Sequence, residues 1–137
     1  LFVKEEFRNG IGNSHYDRVY IQLFKEKERL GLLKPGMDVF ETTSGTAGVS
    51  FAAIGTALGY KCHVAIPEGG EQARVRAIED AGGIIYHTPK DQYVNGFKEF
   101  IPAFQKEHPD YAFINHNKNK IIRVVKNKTQ KYRNNNN

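Results

Sequence analysis

The sequence has one cysteine, Cys62, so no internal disulfide framework can exist, and a lone thiol fits a reducing cytosol. No stretch approaches the ~20 consecutive apolar residues that a bilayer span needs, which excludes a membrane helix. The opening Leu1-Phe2-Val3-Lys4 lacks a basic segment followed by an apolar one, so no signal peptide is expected; Leu1 in place of an initiator methionine suggests that the natural start lies upstream. Acidic residues are missing altogether from His116 to Asn137, where seven Lys and Arg stand. That absence accounts for the net charge of +5, because the first 115 residues hold 13 basic against 15 acidic side chains. Basicity therefore belongs to the tail, and nucleic-acid binding by the body is not expected. A Walker sequence and metal-ligand spacing among the five histidines are also missing.

What is present is a chain of 137 residues, the size of one domain, with 39% hydrophobic residues. Short apolar runs alternate with longer helical segments. Ser14 with Asp17 three residues on predicts a capping box, opening a helix with Tyr16, Tyr20, Leu23 and Phe24 on one face. Strands are predicted at 37–40, 62–66, 84–86 and 111–114. Between them come helices over 47–58, rich in small residues, 71–81, with Arg74 and Arg76 outward, and 92–107, with Val94, Phe97, Ile101 and Phe104 as its apolar stripe. Strands separated by helices of 10–15 residues imply βαβ units, right-handed crossovers and a parallel α/β open sheet of three layers. The expected organisation is a domain over residues 1–115 and a basic, Asn- and Lys-rich tail over 116–137, too poor in apolar surface to order itself.

Two loops carry candidate chemistry. In Thr43-Ser44-Gly45-Thr46-Ala47-Gly48, hydroxyls and glycines precede a helix N-terminus, which suits a small carboxylate or phosphate without any charged side chain. The same features equally describe a capped tight turn. The second loop runs from Lys4 through Glu6, Asn9, Gly12 and Ser14-His15-Tyr16-Asp17-Arg18. Cys62 reads as a small buried hydrophobe, and His15 as a side chain on the edge of any cleft formed here.

Taken together, the two loops resemble the fold-type II pyridoxal-phosphate (PLP) family of cysteine synthase, cystathionine β-synthase and threonine synthase. The resemblance extends through Pro35-Gly36, Gly59-Tyr60-Lys61, Ile66-Pro67-Glu68, Arg74 and Ala81-Gly82-Gly83-Ile84, covering roughly residues 4–115. It implies a partial tryptophan-synthase-β-like fold, PLP as cofactor and β-elimination or replacement on serine-type amino acids. It also implies a cytoplasmic location and a homodimer for the full-length form. By the same resemblance Thr43, Ser44, Gly45, Thr46 and Ala47 bind the substrate carboxylate, and Thr46 stands where the family places an Asn near the cofactor ring.

The departures are chemical. Tyr16 occupies the position of the Schiff-base lysine, and a phenol cannot condense with an aldehyde. One extra residue, Asn13, precedes Ser14, and Gly10 replaces a proline. Lys4 is the nearest alternative amine in sequence, though its family role is structural. The glycine-rich phosphate cradle of such proteins comes later than residue 137. The chain is thus expected to be a catalytically incompetent relative without covalent PLP, or else a non-catalytic module for an amino acid or carboxylate.

Overall fold

The computed structural model describes Phe2, Glu5, Ile11 and residues 14–116. The expected tail from Asn117 onward, Lys4 and most of the first loop lie outside these residues. Along the chain come α1 (Tyr16–Arg29), β1 (Asp38–Thr42), α2 (Thr46–Ala57), β2 (Lys61–Pro67), α3 (Gln72–Asp80) and β3 (Gly83–Thr88). A 3-10 helix (Lys90–Gly96), α4 (Phe97–Glu107) and β4 (Ala112–Phe113) follow.

The strands form one parallel sheet in the order β3-β2-β1-β4. This order and the handedness of crossovers explain the layers. Two steps, β1 to β2 and β2 to β3, move one way across the sheet, and the step from β3 to β4 moves back past β1. Right-handed connections then put α2 and α3 on one face and α4 on the other. Period-2 alternation supplies each face with its side chains. Val39, Cys62, Val64, Ile66 and Ile114 pack against the helix side in one core with Tyr20, Leu23, Phe24, Phe51 and Ile78. Phe40 and Phe113 stack at 4.6 Å on the opposite face, and Phe104 of α4 packs on Phe40 at 4.9 Å.

The small residues of α2 let it lie close on the sheet. A Cβ on Gly48 would come within 2.9 Å of Ile78 and 3.3 Å of Val64, and one on Gly55 would meet Cys62 and Phe24. Cys62 is fully buried, as anticipated, and burial pushes its thiol up to about 12.

Two local expectations need correction. The helix start is not a capping box: the Ser14 hydroxyl accepts the Tyr16 N–H at 3.2 Å, while the Asp17 carboxylate accepts from the Ser50 hydroxyl at 2.7 Å. A buried partner across the α1–α2 contact thus takes Asp17 instead of the Ser14 backbone. The helix expected over 92–107 is α-helical only from Phe97, after the 3-10 segment that ends at Gly96. Glycine is costly inside a helix and marks the joint.

Candidate functional site

In an open parallel sheet, ligands bind beyond the strand C-termini at the point where the strand order reverses. Here that crevice lies between β1 and β4. A cleft of about 530 Å³ opens there. Thr42, Thr43, Ser44, Thr46 and Ala47 form one side, and Asn115 and His116 follow β4 on another. Tyr16 enters from the first turn of α1, and Arg74 from α3. Phe97 and Ile101 of α4, with Phe113, make an apolar wall.

The sheet itself fixes the start of the loop: the Thr43 N–H donates to the Ala65 carbonyl at 3.0 Å, extending the β1–β2 ladder by one residue. The Thr43 hydroxyl then accepts the Gly45 N–H at 3.0 Å, closing a tight turn into α2. Thr43 is buried, whereas Ser44 and Thr46 are exposed to the cleft. Four of the five residues expected to bind substrate therefore line the cavity. Gly45 does not, and its N–H is spent inside the turn. Its role is shape: it is the N-cap of α2 at φ 157°, ψ −86°, and a Cβ there would lie 2.6 Å from Arg74 Nη1. With α2 twelve residues long, the positive end of its dipole faces the cleft beside these hydroxyls.

Beneath the loop is a polar cluster absent from the sequence-based expectations. Glu41 is 1% exposed, and its Oε1 accepts the Thr42 N–H at 2.9 Å. Its Oε2 takes the Tyr20 hydroxyl at 3.2 Å, the His116 N–H at 3.0 Å and His116 Nδ1 at 3.0 Å. Burial pushes the Tyr20 phenol well above its ordinary range, and the Glu41 charge pushes it further. His116, which composition assigns to the tail, is instead 6% exposed and built into this cluster. Asn115 makes the bend, at φ 50°, that returns the chain to Glu41. A sequence signal for Glu41 existed, since alternation puts it on the same buried face as Val39. No pattern named its partner, which lies 75 residues away.

Other singled-out residues fall elsewhere. His15 is exposed, packs against Tyr16 with ring centroids 4.2 Å apart and is not among the described residues that line the cleft. His63 bonds Asp38 at 2.8 Å and Tyr86 at 3.0 Å on the α4 face, a satisfied histidine as expected. Among the described residues no group of three His, Cys, Asp or Glu could hold a metal, and no helix is long and apolar enough to cross a membrane. The described residues lining the cleft include no lysine, so they offer no amine for an aldehyde cofactor.

Comparison with known proteins agrees with this geometry. The chain is 32% identical over 118 residues to cysteine synthase 2 of Neurospora crassa, covering 80% of this chain and 26% of that protein. It is 32% identical over 106 residues to cystathionine beta-synthase of Apis mellifera, covering 77% of this chain and 21% of that one. A solved hydrogen sulfide-producing enzyme from Fusobacterium nucleatum superposes with a TM-score of 0.76 at 25% identity, over 82% of this chain and 37% of the enzyme. The chain thus spans about a quarter of the first of these relatives and a fifth of the second. Residues 1–130 match the family described as pyridoxal-phosphate dependent enzyme, to which, with its parallel sheet and its cleft at the switch point, this chain belongs.

Proposed function

We propose that this chain carries the amino-acid-binding part of a cysteine-synthase-like site and does not perform covalent PLP chemistry. The observation behind this reading is Tyr16, which borders the cleft beside the carboxylate loop where the family resemblance expects the lysine. PLP supplies the family's electron sink, and its aldehyde needs a primary amine to be held covalently. The described residues that line the cleft, which include no lysine, do not fit that attachment. What they can do is bind. The Ser44 and Thr46 hydroxyls and the N-terminus of α2 take a ligand carboxylate, Thr43 holds the turn, and Phe97, Ile101 and Phe113 exclude water from the opposite side. The family reaction, β-elimination or replacement on serine-type amino acids, is therefore not expected of this chain alone. A cytosolic setting accords with the single buried thiol.

The test is borohydride reduction after mixing with PLP. The native chain should show no aldimine absorbance and trap no cofactor, whereas Tyr16→Lys should gain a pyridoxyl adduct at that position. A specific adduct on a lysine of the native chain would overturn the reading.

A further inference from the structure

We propose that the cleft selects ligands carrying two anionic groups, and that the Arg74 guanidinium makes the selection. The inference rests on the reading of the Thr43–Ala47 loop as a carboxylate site. Arg74 lines the same cleft from α3, and its side chain lies directly over Gly45: an ideal Cβ on that glycine would be 2.6 Å from Nη1 and 2.8 Å from Cδ. A fixed positive charge therefore sits beside the hydroxyls and helix terminus that receive the first carboxylate. Its ion-pair partner among the described residues is Glu71, reached through Nε at 3.2 Å. That leaves the Nη edge of the fork for a ligand, and the side chain is 49% exposed, so it can turn toward one.

The remaining lining points to the same ligand class. Among the described residues that line the cleft none is acidic; Glu41 lies below it, occupied by Tyr20 and His116. His116 also borders the cleft, 6% exposed, and its hydrogen bonds to described groups run through Nδ1 and the backbone N–H. A ligand seated by one carboxylate at the loop would bring its second anionic group, a carboxylate or a phosphate, to the Arg74 fork, with its carbon chain against Phe97 and Ile101.

Titration followed by amide NMR of residues 43–48 tests this, using acetate, serine, succinate and phosphoserine. Succinate or phosphoserine should bind about tenfold more tightly than acetate or serine, as a charge-assisted fork contact implies. Whichever of the two gains more identifies the second group. Arg74→Gln should remove that gain while weakening acetate by less than about threefold, and Arg74→Lys should retain part of it. Equal affinities in the native chain, or an Arg74→Gln that weakens acetate and succinate alike, would overturn the selection and leave the carboxylate site standing. Loop signals that ignore every ligand, acetate included, would overturn both.

Discussion

His116 Nδ1 lies 3.0 Å from Oε2 of Glu41, a carboxylate 1% exposed, and this contact ties the end of β4 to the end of β1 beneath the cleft. Removing the imidazole leaves the buried Glu41 carboxylate short of one hydrogen bond, typically at a cost of about 1–3 kcal/mol. His116→Ala should therefore lower the urea midpoint markedly, and ending the chain after Asn115 should do the same. Glu41→Gln combined with His116→Gln should recover part of the loss, because two amides can hydrogen-bond each other and an amide costs less than a carboxylate to leave partly unpaired. A midpoint unchanged in His116→Ala would show that the cluster does not support the fold.

The loop prediction separates shape from contact. Ser44→Ala should weaken acetate or serine by about tenfold at most, since the helix terminus and Thr46 remain. Gly45→Val should abolish binding, and it should not be silent in stability. The backbone conformation at Gly45 is one L side chains rarely adopt, and Arg74 would have to move aside, so a loss of about 1–3 kcal/mol is expected. Thermal unfolding with and without ligand measures both effects.

Alkaline pH should destabilise the protein through groups whose protonated form the fold prefers. Burial holds the Cys62 thiol at about 12, against about 8.5 in an unfolded chain. Its contribution is complete below the unfolded value and is lost as pH rises toward the folded one. Tyr20, also raised, adds the same sign of effect above about pH 10. Unfolding free energy should fall from about pH 9 upward. Cys62→Ala should make that fall shallower by up to one proton, about 1.4 kcal/mol per pH unit between 9 and 12. Identical slopes for both chains would contradict the burial of the thiol.

Asn115 offers a test of the bend behind His116. At φ 50° an asparagine is tolerated and a glycine is at ease, but a β-branched residue is strained. Asn115→Gly should stay within about 1 kcal/mol of the native chain, and Asn115→Val should lose about 1–3 kcal/mol. Similar chemical-denaturation curves for the two variants would rule out the left-handed turn.

Much was legible in the sequence because its causes are local. Alternating apolar runs and helical stripes placed the four strands and four α-helices of the described residues, and glycine-rich turns bounded them. Hydroxyls and glycines from Thr43 to Gly48 marked the loop at the head of α2, and Tyr16 borders the cleft beside that loop. The strand ends at Thr42, Pro67 and Thr88 extend past the apolar runs because ladder hydrogen bonds, not side-chain polarity, decide where a strand stops.

Tertiary structure decided the rest. Arg74 reads in sequence as an outward cation on a short helix, yet the packing of α3 beside α2 lays it over Gly45 in the cleft. Asp17 looks like a capping residue until Ser50 of the neighbouring helix claims it. Composition puts His116 at the start of a basic tail, but β4 pairs with β1, and the turn at Asn115 then delivers the ring to Glu41. Each of these outcomes depends on contacts 29 to 75 residues apart in the chain. Such partners follow from strand order and crossover hand, and neither periodicity nor composition within a short window carries them.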